Sequence, residues 1–443
     1  MTRAVRRLYT LLLYLALPFV SLLIAIRGLT EREYWRGWQA RFGYGPRAAA
    51  GGIWVHAVSV GEVQAAAVLI EALRARLPQT AITLSCATPT ARARGRALLP
   101  GVAVRYAPYD LPGSVRRCLA RLRPRLLIVL ETELWPNLLH AAQRARVPVL
   151  IASARVSARS ARLYQRLPGL LRPVLAAGVW VGAQTDADAA RYAALGVPPE
   201  RLAVVGNIKF DRAAAPEQMQ RGQQLRARYG AGRCVWVAGS THPGEEQIVL
   251  QAHALLLATV PRALLVLAPR HPQRFQDAAA AIAAHGFSCV RRSEARAAGG
   301  DSAGGDARRD EAAPAADCQV LLLDTLGELA DFYAAADVAF VGGSLVPVGG
   351  HNLLEPAALG LPVLSGGAHF NSPEVARALE AAGALTIVHD AAELAGALVR
   401  LLADPAARAR QGAAGRAAIA ANRGALERLL ALIGQLAPAH AGT

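Results

Sequence analysis

The chain has 443 residues, 53% of them apolar, with 49 Lys and Arg against 32 Asp and Glu for a formal net charge of +17. Length and apolar content suit two or three domains with sizeable cores, which excludes a disordered chain or a small disulfide scaffold. The positive surplus points to an anionic partner, and 5% aromatic residues is thin for base stacking, so lipid headgroups and phosphorylated substrates stand ahead of nucleic acid.

Residues 8–26, LYTLLLYLALPFVSLLIAI, form an uncharged run with Arg3, Arg6 and Arg7 before it and Arg27, Arg32, Arg36 and Arg41 after it. The run is about the length of one bilayer crossing, and no small-residue cleavage site follows it, so a retained anchor is expected rather than a signal peptide. Pro18 is compatible with a helix that spans the bilayer or lies in its interface. The segment Glu31 to Arg41, with Tyr34, Trp35 and Trp38 among charges, reads as an interfacial belt.

From residue 53 short β-rich runs alternate with Ala/Leu/Arg helical stretches: IWVHAVS, AITLSCAT, AVRYAP, RLLIVLE, VPVLIAS, VWVGAQ and LAVVGNI. After a polar stretch near Pro216 the rhythm restarts with CVWVAGS, ALLVLAPR, SCVRR, QVLLLD, VAFVGGS, LPVLSGG and ALTIV. This is the βαβ pattern of a parallel sheet covered on both faces, met twice. The expected division is an anchor and interfacial segment over 1–48, one doubly wound α/β domain over 49–213, and a second over 214–443 that includes the closing helices. Residues 293–316 lack an apolar period and read as a mobile insertion. Five scattered cysteines, with no C-x-x-C pair, signal neither a disulfide framework nor a zinc site.

Ligands of open α/β sheets bind beyond the carboxyl ends of the strands, and those positions are polar here. The first strand runs through His56 to Ser59 and Glu62 at a helix start. Ser59-x-x-Glu62 fits a capping box, and the same carboxylate could act as a general base on an acceptor hydroxyl. Glu131 and Glu133 follow another strand, and Arg155 the next, where it would suit a phosphate. In the second half, Ser240, Thr241 and His242 lead into a helix whose start could hold an anion. Arg270 and His271 end the next strand, Gly327 and Glu328 follow another, and Asn352 and Glu355 are spaced to share a helix face that could grip ribose hydroxyls. No Walker loop or G-x-G-x-x-G is present. Lys209 is the one lysine in the chain, and a lysine surviving among 48 arginines points to a phosphate contact.

Taken in order, WVHAVSVGEV, ETELWPNLL, GNIKFD, GSTHPGEE, PRHPQRF, DTLGEL and FVGGSLVPVGGHNLLEPAALGLPVL resemble the bacterial 3-deoxy-D-manno-octulosonic acid (Kdo) transferase family over nearly the whole chain. The resemblance implies a GT-B fold, two Rossmann-like domains with an N-terminal membrane-anchor helix, attached to the cytoplasmic face of the inner membrane. It implies transfer of Kdo from CMP-Kdo to a phosphorylated lipid A precursor, with Glu62 at the position of the catalytic base. Ser153, Pro243 and Leu353 stand where the family pattern has Asn, Glu and Pro. Direct displacement would invert the anomeric centre, and Arg270, Lys209 and the helix start after Ser240 would receive the leaving phosphate. No cofactor or metal is expected, and the basic surface would meet anionic lipids rather than nucleic acid. A UDP-sugar transferase of the same fold, or a tethered nucleotide-binding module without catalysis, are the competing expectations.

Overall fold

Each apolar run between residues 53 and 204 becomes a strand of one parallel sheet: β1 (Ile53–His56), β2 (Ile82–Cys86), β3 (Ala103–Tyr106), β4 (Leu126–Leu130), β5 (Val149–Ala154), β6 (Val179–Ala183) and β7 (Leu202–Val204). The spatial order is β3-β2-β1-β4-β5-β6-β7. A second parallel sheet takes β8 (Val235–Thr241), β9 (Leu264–Pro269), β10 (Cys289–Arg291), β11 (Val320–Leu322), β12 (Val338–Val341), β13 (Val363–Ser365) and β14 (Leu385–Ile387), in the order β10-β11-β9-β8-β12-β13-β14. The computed structural model describes residues 2–211, 216–298 and 318–436.

The central strands are buried and largely apolar because helices cover both faces. In the first sheet one face packs Val55, Leu84 and Ile128 against helix Val60–Arg76, and the other packs Trp54, Leu127 and Val129 against helices Pro112–Leu122 and Pro136–Arg144. The indole of Trp54, fully buried, donates to Ser85 Oγ at 2.8 Å. Its counterpart Trp236 in the second sheet donates to His253 Nδ1 at 3.2 Å. Both buried indole N–H groups are thus satisfied inside their cores.

The chain divides into two compact units, and the boundary differs from the expected one. The last helix, Ala425–Leu436, belongs to the first unit rather than the second. Asp211 fixes its start by accepting from Gly424 N at 2.6 Å and Leu426 N at 2.8 Å. Ala425, Leu429, Leu430 and Ile433 then bury against Val205, Ile208 and Leu69. An amphipathic helix goes where its apolar face is covered, which chain order does not reveal. The 1–48 segment is likewise part of the first unit. Helix Thr2–Thr30 lies against helices Pro136–Arg144 and Pro168–Gly178, and Tyr9 donates to Asp110 Oδ2 at 2.9 Å. Within the belt, Trp35 and Trp38 are exposed, but Arg41 is buried with its guanidinium 4.1 Å from the Tyr106 ring centroid. Of the expected insertion, Arg292–Ala298 opens as a helix, and 299–317 lie outside the described residues. All five cysteines are free.

Candidate active site

In each sheet the chain leaves a central strand in opposite directions, and the two departures open a crevice at the carboxyl ends. In the first unit that point lies between β1 and β4, which pair from Ile53↔Leu126 to His56↔Val129. It therefore brings together the segments following His56 and Leu130.

Helix Val60–Arg76 starts there with Ser59 as N-cap, its hydroxyl accepting from Glu62 N at 3.2 Å. The Glu62 carboxylate does not complete a standard capping box, which would accept from the N-cap amide. It accepts instead from Val58 N at 2.7 Å and from Ser59 Oγ at 3.2 Å. Ser59 therefore caps the helix while the Glu62 carboxylate is buried beside it. Burial, then the charges of Glu133 and Glu131, push the Glu62 carboxyl up to about 8 against the opposing bonds from Val58 and Ser59.

Glu131 is buried in the left-handed region at φ 54°, a strained position that aims a strand-end residue out of line. Its carboxylate pairs with Lys209 Nζ at 2.6 Å, and Arg155 lies 3.9 Å from its other oxygen. Lys209, expected on a phosphate, is thus engaged with a carboxylate of its own unit. Ser153, also left-handed at φ 53°, ties the end of β5 to the Lys209 segment: its hydroxyl donates to Gly206 O at 3.3 Å and accepts from Ile208 N at 3.0 Å. Glu133 accepts from Trp135 Nε1 at 2.6 Å, while burial raises its carboxyl. Trp135 in turn meets His56 edge-on at 4.5 Å between ring centroids. Burial pushes the His56 imidazole down to about 3, and its Nδ1 lies 2.9 Å from Ser85 Oγ. His56 and Trp135 were visible as strand-end residues, but their ring contact depends on a pairing 79 positions apart in sequence.

In the second unit the corresponding point lies between β8 and β12, paired from Val338↔Trp236 to Val341↔Gly239. It gathers imidazoles. His242 Nε2 and His351 Nε2 are 2.8 Å apart with stacked rings, so one proton is shared between them, and His271 meets His242 edge-on at 5.5 Å. Burial, followed by the charges of Arg270 and the neighbouring histidines, pushes His351 down to about 3. Desolvation also lowers His242 and His271. Gly343, at φ 71°, allows this approach, because a Cβ there would sit 2.9 Å from the His351 ring. Arg270 and His271 are exposed at the end of β9. His351 is the residue the sequence spacing missed: its neighbours Asn352 and Glu355 were singled out, and only the fold brings His351 onto His242.

Other expected donor contacts come out differently. Glu245, the first residue of helix Glu245–Leu257, turns its carboxylate to the loop after β12 and accepts from the amides of His242, Gly343, Ser344 and Leu345 at 2.7–3.0 Å. Thr241 is buried with its hydroxyl 3.4 Å from Glu246 Oε1, and Ser240 turns the chain at φ 59°. Glu328 is held by Arg292 at 2.7 Å and by the Thr325 hydroxyl. Gly327, at φ 91°, makes the turn before it. Asn352 and Glu355 do not share a helix face, since the helix begins only at Leu354, and the Asn352 side chain accepts from Leu354 N at 3.1 Å. For Glu245 and Asn352 the cause is the same: a polar side chain beside free backbone amides satisfies them first.

Residues 36–212 match the family described as 3-Deoxy-D-manno-octulosonic-acid transferase (kdotransferase), and residues 297–418 match Glycosyl transferases group 1. A 3-deoxy-D-manno-octulosonic acid transferase of Haemophilus influenzae is 39% identical over 97% of this chain and 98% of its own. One from Bordetella pertussis is 41% identical over 96% and 98%. The chain belongs to the Kdo transferase family. It is a glycosyltransferase of GT-B fold, and the fold is shared with a UDP-GlcNAc 2-epimerase of Neisseria meningitidis bound to UDP-GlcNAc, at TM-score 0.56 and 14% identity over 87% of this chain and 100% of the other. Helix residues Ala4–Leu29, whose most apolar 18 residues have a mean hydropathy of 2.2, are long and apolar enough to cross a membrane.

Proposed function

We propose that this Kdo transferase moves Kdo from CMP-Kdo to a hydroxyl of a phosphorylated lipid A precursor, lipid IVA, in lipopolysaccharide biosynthesis at the cytoplasmic face of the inner membrane. Glu62 is the general base. The acceptor oxygen bonds to the anomeric carbon as the bond to the CMP phosphate breaks, the proton passes to Glu62, and CMP departs with the bonding electrons. Attack opposite the leaving group inverts the anomeric centre. Arg270, with the His242–His351 pair and His271, receives the leaving phosphate, because a developing charge is met there by a guanidinium and by imidazole donors. Lys209 and Arg155 hold Glu131 in place on the acceptor side.

The observation that carries this reading is the buried Glu62 carboxyl with its affinity for a proton raised to about 8, an acid strength matched to taking a proton near neutral pH. Glu62→Gln keeps the hydrogen-bond acceptor and removes the base. Turnover at saturating acceptor should fall by roughly 10²–10⁴-fold with CMP binding intact; a near-normal rate would move the base to Glu131 or Glu133. No metal takes part in this scheme. Activity should persist in EDTA, and loss restored by magnesium would assign the phosphate to a metal instead.

A further inference from the structure

The first unit contains a cavity of about 830 Å³ between the N-terminal helix and helices Pro112–Leu122 and Pro136–Arg144. Arg6 and Arg7 reach it from the N-terminal helix, Arg116 and Arg123 from one side, and His140 and Arg144 from the other. No carboxylate lines it, and Arg7, Arg116, Arg123 and Arg144 form no ion pair with any described residue. The four guanidinium groups of Arg7, Arg116, Arg123 and Arg144 around one cavity repel one another, an entering anion relieves that repulsion, and guanidinium forks match phosphate oxygens.

We infer that this cavity binds the phosphate headgroup of an anionic phospholipid, with the acyl chains running along the exposed apolar side of the N-terminal helix. Leu119, Pro124, Ala141 and Val147 give the cavity an apolar wall that a free inorganic anion would not use. Leu8, Leu11, Leu12 and Leu15 of the adjoining helix are exposed, and this helix is the candidate membrane span. Arg6 and Arg7 at its N-terminal end then lie at headgroup depth, where bilayer phosphates are concentrated.

The position separates this lipid from the sugar acceptor. Pro124 and Val147 lead into the amino ends of β4 and β5, whereas Glu62 follows the carboxyl end of β1. Asn137 joins the two regions: it lines the cavity, its side chain bonds Thr10 of the N-terminal helix, and it follows Trp135 in the site segment.

The test uses full-length protein in neutral detergent with dihexanoylphosphatidylglycerol as probe. The expected result is a rise in melting temperature that dihexanoylphosphatidylcholine does not produce, with binding at least tenfold weaker in Arg116→Ala/Arg123→Ala/Arg144→Ala. Activity of this variant in detergent without the probe should match wild type. An equal shift with inorganic phosphate would make the cavity a plain anion site and overturn the proposal. A raised acceptor KM in the variant without the probe would assign the cavity to the acceptor and also overturn it. If the triple variant does not fold, a phosphatidylglycerol carrying a photoreactive headgroup decides on the wild type. Crosslinks to residues 112–124 and 137–147 support the site, and crosslinks elsewhere remove it. Failure here leaves the Glu62 test untouched.

Discussion

The two units carry the same backbone device with opposite chemistry. In each a doubly wound parallel sheet opens at a switch point, beside β1 in one and beside β8 in the other. The first fills that point with carboxylates, of which Glu62 and Glu133 hold protons more tightly than free glutamate. The second fills it with imidazoles that hold protons less tightly than free histidine. Burial acts on both, favouring the neutral form, and this raises an acid and lowers a base. One topology thus yields a carboxyl held neutral by burial in one unit and a cluster of neutral imidazoles in the other, which the proposed mechanism uses as base and as phosphate donors.

The largest break in this comparison is Glu62→Gln, whose kinetic effect has a thermodynamic partner. Native Glu62 keeps its proton up to about pH 8, whereas the unfolded carboxyl releases it near its ordinary 4.5. The stability tied to this group is full below 4.5 and is lost as pH rises to 8. The melting temperature of Glu62→Gln should therefore gain on wild type across that window, while kcat/KM of wild type climbs towards pH 8. Parallel melting curves at pH 5 and pH 8 would show that Glu62 is not buried as a proton-holding group.

Next in size is the Lys209–Glu131 pair. Lys209→Met leaves Glu131 a buried charge without its 2.6 Å partner, and stability should fall by about 3 kcal/mol, with much of it recovered in Lys209→Met/Glu131→Gln. Urea unfolding of the two variants measures this. A single variant as stable as wild type, with a raised CMP-Kdo KM, would return Lys209 to the phosphate.

The fold was legible because strands buried on both faces must be apolar runs, and fourteen of them alternate with helical stretches. The crevice was legible because polar residues collect where those runs end. Pairings across sequence were not. That His351 rests on His242 follows from β8 lying beside β12, and that Glu245 uses up the amides of Gly343, Ser344 and Leu345 follows from the same adjacency. Capture of the last helix by Asp211 was hidden for a different reason: an aspartate that caps a helix eleven or more positions away looks like any other until both ends are in place, and here the separation exceeds two hundred.

A smaller effect probes the second unit. His351→Ala removes the partner that shares a proton with His242, and CMP-Kdo binding should weaken by about tenfold, the worth of one hydrogen bond to a charged phosphate, with the acceptor KM unchanged. Isothermal titration with CMP reads the first and acceptor kinetics the second. Unaltered CMP affinity would leave the stacked imidazoles a packing feature.

The smallest change, Ser59→Ala, separates the two roles joined at the start of helix Val60–Arg76. The Ser59 hydroxyl accepts from Glu62 N and donates to Glu62 Oε1, so it caps the helix and favours the ionised carboxylate. Removing it should cost about 1 kcal/mol of stability through the lost cap. It should also move the Glu62 carboxyl still higher, because one of two bonds to the charged form is gone while the Val58 amide remains. The acid limb of kcat/KM would then shift to higher pH with the plateau rate largely kept, since the base itself is unchanged. A cap without catalytic consequence would lower the unfolding midpoint and leave the pH profile in place, and that outcome would detach Ser59 from the chemistry of Glu62.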